Sequence, residues 1–129
     1  MDEKDNTPST PCISLIYALE CQLGRIFAEG LENRWRRHLA LAEYVRGWVR
    51  DRGFEFLAAG PYRSVTLTCA VNSRNVDLAE LKKKLGERGY AFDNGYGKLK
   101  GKTFRIAHMG DMQLSDVQGL TREIDDILR

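Results

Sequence analysis

The sequence predicts an α+β fold: a small, mostly antiparallel sheet packed on one face by helices, preceded by a long interrupted helix. Three observations predict it. Two amphipathic helical patterns open the chain, separated by a single glycine at Gly30. Short strand patterns then come in pairs, with turn residues inside each pair and a helical pattern between the pairs. A helical pattern closes the chain, so the order reads α, α, β, β, α, β, β, α. Strand pairs separated by helices suit a two-layer arrangement better than a parallel sheet with regular crossovers.

Residues 1–11 read as an irregular segment, punctuated by Pro8 and Pro11, with Ser9 and Thr10 placed to cap the first helix. From Ile13 the pattern turns helical: Ile13, Ile16, Leu19, Leu23, Ile26 and Phe27 share one stripe. A second helix is expected from Leu31 to about Arg52, with Trp35, His38, Leu39, Ala42, Val45, Trp48 and Val49 at helical spacing and Gly53 as the stop. Phe54, Phe56 and Ala58 alternate as a strand, and Gly60 and Pro61 turn the chain into the β-branched run Ser64 to Val71. Asp77 caps a helix from Leu78 to about Arg88, whose apolar face holds Leu78, Leu81 and Leu85, and Gly89 ends it. Tyr90 to Phe92 reads as a short strand, and Asp93 to Lys102 as a glycine- and lysine-rich loop. Thr103 to His108 is the last strand, and Ser115 caps a final helix striped by Val117, Leu120, Ile124, Ile127 and Leu128.

The totals exclude several classes. The chain has 129 residues, enough for one domain with a modest core. Its formal net charge of +2 and scattered basic residues argue for neither a nucleic-acid nor a membrane partner. No apolar run is long enough to span a bilayer, and the polar, acidic start is not a secretory signal. Cys12, Cys21 and Cys69 lack metal-ligand spacing and an even count, so reduced thiols and a cytoplasmic location are expected. No nucleophile elbow, HExxH, CxxC or P-loop occurs.

One residue asks for an explanation. Arg105 sits mid-strand between Phe104 and Ile106, where Val or Thr would serve a strand better. It either lies on the solvent face of the sheet or grips an anion. A guanidinium on a rigid strand suits a bidentate carboxylate, and backbone N–H groups of the preceding loop could join it. His38 reads as a packed helix residue, and His108 as a strand-end residue without partners in the sequence.

The stretch TPSTPCISLIYALECQLGRIFAEGLENRWRRHLALAE, Thr7 to Glu43, resembles the segment that opens the C-terminal domain of class V, fold-type I aminotransferases of the alanine–glyoxylate and serine–pyruvate branch. LKGKTFRIAHMGDMQLSDVQGLTREIDDIL, Leu99 to Leu128, resembles the end of the same domain. The resemblance implies residues 12–129 are that small domain, with Arg105 binding the α-carboxylate of the amino-acid substrate. It implies that Asn94 and Gly95 lie near the active-site mouth. It also implies that Ser9 and Thr10 reach the pyridoxal 5'-phosphate of a neighbouring subunit, although Asn6 departs from the aromatic residue often found before that turn. For His108 and Gly110 it implies a structural role in ending the strand.

The family's chemistry needs a lysine that forms a Schiff base with the cofactor and an aspartate that holds the pyridine nitrogen. Both belong to the large domain that precedes this segment in the family. None of the seven lysines here matches that context. The resemblance therefore implies a domain that works with a large domain and a second subunit in a homodimer, on amino-acid and keto-acid substrates. Alone it is expected to be inactive and not to bind the cofactor tightly. The alternative is a free-standing, non-catalytic module that binds a carboxylate or a protein partner with the inherited surface.

Overall fold

A computed structural model describes residues 9–129; the start of the irregular segment, including Asn6 and Thr7, lies outside the described residues. The chain divides into two units, one ending at Trp35 and one spanning Arg36–Arg129.

In the first unit, helix α1 spans Ile13–Glu29. Its N-cap is Cys12, whose side chain makes no capping hydrogen bond, so the cap position falls after Ser9 and Thr10 rather than on either. Pro11 instead sets the entry, its carbonyl taking the Ile13 N–H at 3.0 Å. At Gly30 the backbone reaches φ 84°, the left-handed region that glycine enters without a Cβ clash, and the helix breaks there. The Gly30 carbonyl accepts from the Arg34 N–H, so helix α2, Leu31–Asp51, begins at once. The predicted stripe of α1 is present, but none of its residues is buried in this chain: Ile13, Ile16, Tyr17 and Phe27 are all at least half exposed.

The second unit holds the core. The buried residues of α2 are Leu41, Ala42, Val45, Trp48 and Val49. The predicted stripe is thus corrected at its start, because Trp35 and Leu39 stay exposed, and Leu41 joins it. Strand β1 is Glu55–Phe56 and strand β2 is Leu67–Val71, shorter than the β-branched run suggests. Helix α3, Leu78–Glu87, is capped as predicted: the Asp77 carboxylate accepts the Ala79 and Glu80 N–H groups at 3.0 Å each.

Strand β3 is Asp93–Asn94, not Tyr90–Phe92. The reason is local. The Tyr90 N–H is taken by the Leu85 carbonyl at the end of α3, and Phe92 turns its ring into the core. Strand β4, Thr103–Ala107, comes next, then helix α4, Leu114–Ile127. The N-cap of α4 is Gln113, not Ser115, because Gln113 forms a reciprocal capping box with Asp116, whose carboxylate accepts the Gln113 N–H at 2.8 Å.

All four strands are antiparallel, in the order β1-β2-β4-β3. Alternation puts Phe104 and Ile106 of β4 and Thr68 and Ala70 of β2 on the buried face. Phe104 is the centre of an aromatic cluster, 5.0 Å from Phe54 and 5.8 Å from Phe92, ring centre to ring centre. Outside the core, Asp125 of α4 ties back to α2: Arg52 donates to both its oxygens at 2.7 Å, and the Trp48 indole N–H donates to one at 3.1 Å. Those donors, the Arg52 hydrogen bond first, hold the Asp125 carboxyl below the usual carboxylate range.

Candidate carboxylate site

The alternation that buries Phe104 and Ile106 sends Thr103, Arg105 and Ala107 to the opposite face of the sheet. Register places Arg105 between Cys69 of β2 and Asp93 of β3. The guanidinium Nη2 donates to the Asp93 Oδ2 at 3.1 Å. The Arg105 Nε is buried and has no hydrogen-bond partner, the only buried side-chain nitrogen or oxygen so left among the described residues. A buried donor without an acceptor is costly unless something fills the place. Arg105 borders a hollow of about 450 Å³, together with Asp93 and Ala107 and with the core residues Phe92, Ile106 and Leu120. A second hollow, about 150 Å³, is lined by Arg46, Phe56, Arg63 and Cys69 and shares Leu67 with the first.

Asp93 has a second partner: its Oδ1 accepts from the Lys82 Nζ of α3 at 2.9 Å. The Lys82 hydrogen bond, with Arg105 adding to it, holds the Asp93 carboxyl below its ordinary value. Reading the sequence did not single out Asp93 or Lys82. The available signal was hairpin arithmetic: once Asn94 faces Phe104, Asp93 must face Arg105.

Four N–H groups of the loop before β4 are taken by carbonyls of the chain. The Gly95 N–H donates to the Thr103 carbonyl at 2.6 Å, and those of Leu99, Lys100 and Lys102 close turns onto Tyr96, Gly97 and Leu99. Gly95 is required by contact rather than by φ, since a Cβ there would overlap the Leu99 carbonyl and the Thr103 hydroxyl. Asn94 is half-buried on β3, opposite Phe104. Ser9 and Thr10 are exposed in the first unit.

His108 is fully buried at the end of β4. Its Nδ1 faces the Val65 carbonyl at 3.1 Å and must donate there, so Nε2 accepts from the Thr68 hydroxyl at 2.8 Å. Burial, opposed by the Val65 hydrogen bond, pushes the ring's pKa down, so the neutral form is favoured. Gly110, at φ 69°, turns the chain after it, and the turn is gripped from α2. Arg37 donates to the Gly110 and Met112 carbonyls at 3.0 and 2.6 Å, and the His38 Nε2 donates to Gly110 O at 3.1 Å. Both histidines are thus engaged in holding structure.

No helix among the described residues is long and apolar enough to cross a membrane. No group of three or more His, Cys, Asp or Glu among them could hold a metal ion.

No protein-family model matches the chain. It is 37% identical over 110 residues to an uncharacterised aminotransferase of Methanocaldococcus jannaschii, covering 84% of this chain and 29% of that protein. It is 37% identical over 107 residues to a serine–glyoxylate aminotransferase of Methylorubrum extorquens, covering 81% of this chain and 27% of the relative. Among solved structures, an alanine–glyoxylate aminotransferase from Nostoc superposes with a TM-score of 0.86 at 31% identity, over 99% of this chain and 34% of its own. The chain thus spans about a third of the length of the relatives it matches. By sequence and fold, the chain belongs with the C-terminal domains of class V aminotransferases of the alanine/serine–glyoxylate branch.

Proposed function

We propose that residues 12–129 act as the C-terminal domain of a pyridoxal phosphate-dependent transaminase, with Arg105 holding the α-carboxylate of a small amino or keto acid. The observation that carries this reading is Arg105 itself, which borders a hollow and has a buried Nε without a hydrogen-bond partner. A carboxylate there could take Nε and Nη2 together, the two parallel donors of a bidentate pair. Such a grip fixes the substrate's orientation as well as its position. β4 suits the task, because Phe104 and Ile106 anchor the strand in the core on either side of the arginine.

The cofactor itself does not fit this chain's described residues alone. Pyridoxal phosphate supplies an electron sink when bound, and it needs an enclosed lysine to carry it. Lys82, Lys83, Lys84, Lys98, Lys100 and Lys102 are all exposed. In this reading the lysine, the ring-binding aspartate and most of the pocket come from a large domain, and the chain alone is inactive. Ser9 and Thr10 contribute hydroxyls toward the phosphate of a cofactor in the second subunit of a homodimer, and Asn94 and Gly95 shape the mouth beside Arg105. The amino donor is an alanine- or serine-like acid and the acceptor a glyoxylate- or pyruvate-like one, by likeness to the relatives.

The test starts from the native polypeptide in its source, found through a peptide unique to this chain. A species roughly three times 14.7 kDa, transaminating alanine or serine with glyoxylate or pyruvate in the presence of pyridoxal phosphate, is the expected result. A 14.7 kDa species with no transaminating partner would instead favour the free-standing carboxylate- or protein-binding module.

A further inference from the structure

The Arg105 guanidinium already holds a carboxylate of its own chain. Asp93 is its register partner on β3, and the contact uses one oxygen and one nitrogen, 3.1 Å apart, leaving the buried Nε without a partner. The other Asp93 oxygen takes the Lys82 ammonium at 2.9 Å. One carboxylate therefore bridges two cations, one on β4 and one on α3.

The Asp93 side chain is 61% exposed and that of Arg105 36%. An ion pair so open to water is weak and readily exchanged. A substrate carboxylate that takes Nε and Nη2 together has two charge-assisted bonds where Asp93 has one. Asp93, once displaced, keeps its bond to Lys82 and is not left without a counter-ion.

We propose that Asp93 is an intramolecular competitor for the Arg105 carboxylate subsite, and that Lys82 is the partner to which it retires when a substrate docks. This rests on the reading of Arg105 as the carboxylate residue. Asp93 thereby sets the affinity of the subsite: it occupies the guanidinium when no substrate is bound and raises the concentration of acid needed to fill it. The opposite role, in which Asp93 orients the guanidinium for its substrate, predicts the opposite sign.

The test uses the full chain labelled with ¹⁵N and follows the Arg105 Nε–H signal by NMR, with sodium propionate as probe and sodium chloride at matched ionic strength as control. Loss of the signal in Arg105→Lys assigns it. Propionate is expected to shift it, and Asp93→Asn to tighten propionate about two- to fivefold, the scale of an exposed ion pair. Lys82→Gln should weaken propionate in the wild-type background, because Asp93 then has only Arg105 to hold. It should have little effect in the Asp93→Asn background. An equal loss in both backgrounds would mean a simple field effect of Lys82 and would overturn the exchange. Equal or weaker binding by Asp93→Asn would overturn the competition while leaving Arg105 as the carboxylate residue. Failure of propionate to move the signal in any variant would remove both readings.

Discussion

Thr68→Val tests the buried contact that fastens the end of the arginine strand. Thr68 is 4% exposed and His108 0%. The His108 Nδ1–H is committed to the Val65 carbonyl, so the Thr68 hydroxyl is the donor that satisfies Nε2, at 2.8 Å. Valine keeps the shape and removes the donor, leaving a buried acceptor without a partner. That costs about 1–3 kcal/mol. Thr68→Ser keeps the hydroxyl and should recover part of the loss. The assay is urea unfolding followed by tryptophan fluorescence, since Trp48 lies in the core of the same unit. The pH dependence gives an independent check. Burial lowers the His108 pKa in the fold below its ordinary value of 6.5. The unfolded chain then binds the proton more readily, so this contribution is complete above pH 6.5 and is lost as pH falls below it toward the folded value. The slope from this one group is at most about 1.4 kcal/mol per pH unit. Thr68→Val as stable as the wild type would refute the hydroxyl's role. Stability that rises between pH 7.5 and 5 in the wild type, but not in His108→Gln, would refute the neutral, buried imidazole.

Two other outcomes are expected from the packing. Gly95→Ala places a methyl against the Leu99 carbonyl and the Thr103 hydroxyl, and should destabilise the fold by about 1–3 kcal/mol by forcing the turn away from β4; unchanged unfolding would show that the turn yields freely. The apolar face of α1, where Ile13 and Ile16 are about half exposed and Tyr17 and Phe27 each 67% exposed, should make the isolated chain self-associate. Light scattering that reports a monomer, with no binding of a dye for apolar surface, would contradict that.

Much of the fold was legible because its punctuation is chemical. Gly53 and Gly89, at φ 70° and 83°, end α2 and α3 where only the left-handed region continues the chain, and Asp77 caps α3 through its own side chain. The order of eight elements came from these marks. β3 was misplaced because a two-residue edge strand is defined by its partner: Asp93 and Asn94 are strand only because Arg105 and Phe104 lie opposite. Periodicity likewise puts Trp35 and Leu39 on the stripe of α2 but cannot say which part of a stripe this chain covers. At the site, Arg105 stood out as a charge in an apolar strand. Asp93 and Lys82 did not, because their meeting depends on a register and a helix position far apart in sequence. Of the backbone donors expected of the loop, those of Leu99, Lys100 and Lys102 close its own turns and that of Gly95 goes to Thr103 of β4.

Whether Arg105 holds the substrate carboxylate is decided by Arg105→Gln in the transaminating polypeptide that carries this sequence. The KM for the amino donor and the retention of pyridoxal phosphate would be measured together. Loss of a charge-assisted pair costs about 2–5 kcal/mol, so KM should rise by roughly thirtyfold or more while the cofactor stays bound. An unchanged KM, or a loss of cofactor with no change in substrate affinity, would rule out that role for Arg105.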